Sequence, residues 1–218
     1  MLALAFVVPA VITLAMVVVA RASRGGGSRG SAAAAEAAER LGLSYTAAAY
    51  KEFRNRFRDL PEVPANARIK HVIEGDLDGR ALVVFESSYM IHTGQITTPV
   101  ANTVYAVASP GWPVTHITPR GVLSRLFIRL GVGSALRLEN PEFNTRFSVK
   151  TDDEDFAIAL LGPDMQAFML TKTRARWRIG RGRVCLSYSG TLKADRIETS
   201  LDRMRGFWTW VPRELESW

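Results

Sequence analysis

Residues Leu2 to Ala20 form 19 consecutive positions without a charged side chain, and Thr13 is the one strongly polar residue among them. As a helix rising about 1.5 Å per residue, the run spans roughly 28 Å, close to the hydrocarbon thickness of a bilayer. It is apolar all round, whereas a helix packed on a protein core keeps a polar stripe. Pro9 is tolerated because it lies near one end, where neighbouring groups can satisfy the freed carbonyl. The run predicts one N-terminal transmembrane helix over residues 1–20.

A cleaved signal peptide is the rival reading, since Ala20-Arg21-Ala22 matches a small-x-small cleavage site. Two features favour a retained anchor. No basic residue precedes the run, and the run is longer than the usual apolar stretch of about 7–15 residues. Arg21, Arg24 and Arg29 follow it with no acid before Glu36. The positive-inside rule then puts the C-terminal side in the cytoplasm, a single-pass protein of the cell membrane. Its first partner is the lipid bilayer, through residues 2–20.

Residues 21–34 (RASRGGGSRGSAAA) read as a flexible basic linker. Gly25, Gly27 and Gly30 match G-x-G-x-x-G in spacing, but no strand precedes them and no βαβ unit follows, so no dinucleotide site is expected. Residues 35–218 are long enough for one domain with a real core. Helices are expected at Ala33–Leu41, Tyr45–Phe57, Arg120–Leu130, Glu154–Leu161, Asp164–Thr171 and Ala194–Arg205. Strands are expected at Ile69–Glu74, Arg80–Tyr89, Thr98–Ala108, Pro113–Thr118, Phe143–Lys150, Arg174–Ile179 and Arg183–Tyr188. Strands clustered by hairpins, without regular strand-helix alternation, point to an α+β fold: an antiparallel sheet flanked by helices.

Several segments resemble a family of uncharacterised, membrane-anchored bacterial proteins, a domain of unknown function found mostly in high-GC genomes. They are Leu41-Gly42-Leu43-Ser44-Tyr45, Gly75 to Arg80 with Val83-Val84-Phe85-Glu86, and Phe143-Asn144-Thr145-Arg146-Phe147-Ser148-Val149. The last runs on to Asp152-Asp153, Phe156-Ala157, Leu160-Leu161, Pro163 and Met165. The resemblance covers most of the domain. It implies an anchor and a shared fold, and it carries no activity to transfer.

No catalytic set converges in the sequence. Cys185 stands alone, which excludes an internal disulfide and a multi-cysteine zinc site. His71, His92 and His116 lie far apart, and no G-x-S-x-G elbow occurs. The acidic cluster Thr151-Asp152-Asp153-Glu154-Asp155 reads as a helix start, with Thr151 and Glu154 as a capping box. No cofactor and no metal are expected. Trp208, Trp210 and Trp218 crowd the C-terminus, suited either to a bilayer interface or to burial against the sheet.

Arginine supplies the most distinctive surface. Arg174, Arg176 and Arg178 alternate with Ala175, Trp177 and Ile179, so strand geometry puts the guanidiniums on one face. Arg181 falls at the turn tip and Arg183 begins the return strand. The five form a candidate anion stripe for lipid or nucleic-acid phosphates, or else a solvated face paired with nearby acids. No acid occurs between Glu86 and Glu139, which makes Arg120–Leu130 basic and amphipathic. The net charge of +7 falls once the linker arginines are set aside, leaving 25 basic against 21 acidic residues. That is weak for a nucleic-acid binder. The leading expectation is a non-enzymatic interaction or scaffold domain, at the cytoplasmic membrane face, with an unidentified protein partner. The alternative is a membrane-tethered enzyme or binding module for anionic lipid or nucleotide phosphates.

Overall fold

The computed structural model describes residues 29–49, 51–120, 136–171 and 175–218. The predicted span Leu2–Ala20, most of the basic linker, all but the first residue of the helix predicted at Arg120–Leu130, and Arg174 lie outside the described residues. Among the described residues, no helix is long and apolar enough to cross a membrane.

The domain is α+β. Its elements are α1 (Arg29–Arg40), β1 (Ser44–Ala48), α2 (Lys51–Arg56), β2 (Arg68–Leu77), β3 (Arg80–Thr93), β4 (Ile96–Ala108), β5 (Thr115–Pro119), α3 (Pro141–Arg146), β6 (Phe147–Thr151), α4 (Glu154–Leu160), α5 (Pro163–Leu170), β7 (Arg176–Gly180), β8 (Arg183–Ser189) and α6 (Ile197–Thr209). The strands form one eight-stranded sheet in the order β1-β2-β3-β4-β8-β7-β5-β6, with every pair antiparallel.

Strand periodicity splits the central residues between two cores. Leu82, Val84, Tyr105, Val107, Trp177, Ile179, Val184 and Leu186 point to the first face. There they meet Phe156, Leu160 and Met165 of α4 and α5, and Ile197, Leu201, Met204 and Phe207 of α6. Those α6 positions recur at helical spacing, the pattern of one buried stripe. Val83, Phe85, Val104, Ala106 and Cys185 point to the second face, under Phe57, Leu60, Val63 and Ala67. Burial on both faces explains why β3 reads as a continuous apolar run at its centre.

The elements differ from the sequence-based expectation at four places. First, α1 begins at Arg29, ahead of the predicted Ala33, because its alanines propagate a helix and bury Ala34, Ala37 and Ala38. Second, Tyr45–Ala48 is an edge strand and not the start of a helix. Gly42 at φ 70° ends α1, and pairing from Ser44↔Glu74 to Ala48↔Lys70 overrides the helical preference of the alanines. Third, Phe143–Arg146 is helical. The Asn140 side chain accepts from the Glu142 and Phe143 amides at 2.9 and 3.2 Å, and Pro141 opens the first turn. Fourth, Thr151 still belongs to β6, opposite Thr115. The cap of α4 is therefore Asp153, whose carboxylate accepts from the Phe156 amide at 2.9 Å. Asp153→Ala is expected to cost about 1 kcal/mol, read as a lowered urea midpoint with unchanged slope.

Candidate functional site

The arginine strand sits beneath a strap. Residues 57–67 cross the second face of the sheet, and the chain there repeats an acid-apolar-proline unit, Asp59-Leu60-Pro61 and Glu62-Val63-Pro64. Tight turns hold it: the Leu60 amide donates to Phe57 O at 3.0 Å and the Val63 amide to Leu60 O at 2.9 Å. Each apolar residue of the repeat drops into the second core. Phe57 packs on Phe85 with ring centroids 4.8 Å apart, and Phe53 meets the same ring edge-on at 5.6 Å.

Each acid of the repeat meets the arginines. Arg176 and Arg178 share one face of β7, with Trp177 and Ile179 buried on the other. Arg178 Nη1 donates to the Asp59 carbonyl at 2.6 Å, and its Nη2 lies 3.5 Å from Asp59 Oδ2. Arg183 Nη2 donates to Asp59 Oδ1 at 3.2 Å, and its Nη1 to the Arg56 carbonyl at 2.9 Å. Its guanidinium stacks 5.2 Å from the Phe57 ring centre. Arg176 Nε lies 3.5 Å from Glu62 Oε1, and its Nη2 donates to Asn102 Oδ1 at 2.8 Å. Ser187 Oγ donates to Glu62 Oε1 at 2.8 Å, and Ser87 Oγ to the Glu62 carbonyl at 2.5 Å. Three guanidiniums of the predicted stripe thus hold the strap, and Arg181 alone of the described four is exposed, at the turn tip with φ 56°. Asp59 and Glu62 escaped the sequence reading. Their signal was the repeated unit, which alternates one buried residue with one charge.

Beside the strap, between it and the β5–β6 end of the sheet, lies a cleft of about 390 Å³. Its walls include Arg58, Pro61, Val114, His116, Lys150 and Arg181. Register aligns Lys150, His116, Arg178 and Cys185 in one row across β6, β5, β7 and β8. Like charges directly opposite each other repel, and His116 avoids the conflict by staying neutral. Burial, then the Arg178 charge, pushes its pKa down from 6.5 to about 4. Among the described residues Arg58, Lys150 and Arg181 form no ion pair. Asp152 and the strap's Asp59 are the acids of the wall.

The His116 shift has a testable sign. Between pH 6.5 and about 4 the unfolded chain takes up a proton on this ring that the folded chain refuses. Stability is therefore full above 6.5 and declines as pH falls through the window, by about 3 kcal/mol in all. Urea unfolding at pH 7 and pH 4.5 is expected to show a smaller difference in His116→Gln than in the parent.

Other residues singled out in the sequence have structural partners. Cys185 is buried, and burial pushes its thiol pKa up to about 12. The Tyr45 hydroxyl and His71 Nδ1 are 2.8 Å apart. Trp208 packs between Trp112 and Phe207 with Arg80 stacked 3.9 Å from its ring centre, whereas Trp210 and Trp218 are exposed. Among the described residues no group of three or more His, Cys, Asp or Glu side chains could hold a metal ion.

No family model matches the chain, and no curated protein matches it. A solved structure does share its fold. The mycobacterial trehalose monomycolate transport factor A, TtfA, matches over 85% of this chain and 98% of that chain, with a TM-score of 0.60 and 14% sequence identity.

Proposed function

We propose that this chain is a single-pass, membrane-anchored accessory factor whose domain lies at the cytoplasmic membrane face and assists lipid transport by docking a partner protein, without catalysis of its own. The observation that carries this reading is the likeness to a trehalose monomycolate transport factor over 98% of that chain. The apolar run Leu2–Ala20 and its arginine collar agree with it. Membership in the resembled family of anchored high-GC proteins belongs to the same proposal.

Cross-linking in intact membranes tests the docking role. Enrichment of a membrane transport protein is the expected result, and recovery of bulk membrane proteins alone would overturn it. Topology needs an introduced thiol, because Cys185 is buried. Ala81 is exposed on β3, and Ala81→Cys is expected to resist a membrane-impermeant reagent in whole cells and to react after lysis.

The cleft favours a second reading, as a binding module for a phosphate-bearing ligand. Arg58, Lys150 and Arg181, which form no ion pair among the described residues, lie beside apolar Pro61 and Val114, a setting for one anionic group with a carbon frame. Titration with inorganic phosphate and with a nucleotide is expected to shift the His116 ring resonances. Lys150→Glu combined with Arg181→Glu should abolish that response, and an unchanged response in this variant would remove the cleft from the reading.

A further inference from the structure

The β3–β4 pair outruns the sheet. β2 stops pairing with β3 at Arg68↔Ser88, and β8 stops pairing with β4 at Asn102↔Ser189. β3 and β4 continue together to Thr93↔Ile96. The result is a two-stranded arm about 17 Å long, counting about 3.4 Å per residue from Ser88 to Thr93. Its residues Tyr89 to Ala101 include no Asp, Glu, Lys or Arg. Cross-strand pairing puts Tyr89, Ile91, Ile96 and Val100 on one side of it. Met90 and Ile96 are 44% and 68% exposed, among the largest apolar exposures of the described residues.

An arm of this kind is costly in water. A lone two-stranded ribbon is marginally stable, and uncharged open edges invite pairing with other chains. The position of α1 says what it faces. The turn Leu41–Leu43 reverses the chain between α1 and β1, with the Leu43 amide donating to Ala38 O at 2.8 Å. α1 therefore lies antiparallel to β1, with its C-terminal end at Ser44↔Glu74 and its N-terminal end toward Ala48↔Lys70. It also touches the turn Ala194–Arg196, whose approach is fixed where the Leu192 amide donates to Glu86 Oε2 at 3.0 Å. Lys70 and Ser88 mark the base of the arm. Arg29, the first described residue, thus stands at the end of the sheet from which the arm projects. Exposed Arg68, Lys70, Lys193 and Arg196 surround that end, with Asp195 among them. Such a cationic rim complements anionic headgroups.

We infer that the β3–β4 arm is a second membrane contact, lying in the headgroup region of the bilayer that holds the anchor. Asn66 Nδ2 donates to the Met90 carbonyl at 3.2 Å near the base of the arm; the backbone edges beyond it keep the tip out of the hydrocarbon, where each unpaired amide would go unsatisfied. Headgroups and interfacial water can satisfy those edges while Ile91, Ile96 and Val100 reach the acyl boundary. The inference rests on the proposal that Leu2–Ala20 is embedded.

The test uses the full chain in vesicles of phosphatidylcholine with phosphatidylglycerol. An environment-sensitive dye is attached at Ile96→Cys, and as a control at Ala81→Cys on the far end of the same strand. Cys185 is buried and stays unlabelled in the folded protein. Spin-labelled lipid is expected to quench the dye at position 96 roughly threefold more than at position 81. Met90→Glu with Ile91→Glu should bring position 96 down to the control value. Alkaline extraction is run on the same samples. If the chain stays in the vesicles and position 96 is no better quenched than position 81, the arm inference alone is overturned. A dye at 96 that is shielded but not quenched by lipid means that a second copy covers the arm, and also overturns it. If the chain washes out, the anchor fails and the arm inference falls with it.

Discussion

Replacing Asp59 with alanine is expected to destabilise the domain by about 3 kcal/mol. For a chain of this size that is a fall in Tm of roughly 6–12 °C. The reason is asymmetry between the partners. The Asp59 side chain is 14% exposed and answers two guanidiniums, Arg178 at 15% and Arg183 at 21%. Deleting the acid leaves both cations largely desolvated and facing each other without a counter-charge. Deleting one arginine leaves Asp59 still paired with the other, so Arg183→Met should cost roughly half as much. Burial already lowers the Arg178 pKa from its usual value, and Asp59 is the largest influence opposing that drop. Thermal unfolding of the two variants beside the parent checks the ordering. Negligible losses in both variants would mean that the strap is held by Phe57, Leu60 and Val63 alone.

Gly180→Ala is the second large effect, also about 3 kcal/mol. Gly180 ends β7 at φ 118°, a conformation that side chains rarely adopt. A Cβ there would lie 2.8 Å from both the Pro113 carbonyl oxygen and the Val114 Cα. Both obstacles are backbone, so relief requires β5 to shift away from β7. That movement pulls Val114 and His116 out of the cleft wall. Loss of stability in the variant is therefore expected together with displaced His116 ring resonances. A variant with parental stability would show that the β5–β7 junction is loose enough to absorb a methyl group.

How much was legible in advance depended on whether the signal was local. The β2–β3 turn at Asp78-Gly79, the helix break at Gly162-Pro163 and the β7–β8 hairpin at Gly180–Gly182 announce themselves through turn chemistry and alternation. The alternation of Arg176 and Arg178 with Trp177 and Ile179 likewise placed charge and core on opposite faces. What the arginines face was not local. Asp59 and Glu62 lie more than a hundred residues away in the chain, and acids in an irregular segment look like ordinary surface charge. β1 was hidden for a related reason: Ala47-Ala48 lean toward helix, and the partner strand β2 decides. At α3 the deciding signal is local: Asn140-Pro141 caps and opens a helix and outweighs the alternation of Phe143–Arg146.

The strand order has a consequence for biosynthesis. β7 and β8, Arg176 to Ser189, fill the gap between β4 and β5, so the middle of the sheet is among the last parts to leave the ribosome. Until then the nascent polypeptide carries a β1–β4 meander and a detached β5–β6 pair, each with a bare inner edge. A message truncated before Arg176 would yield two sheet fragments that no strand bridges.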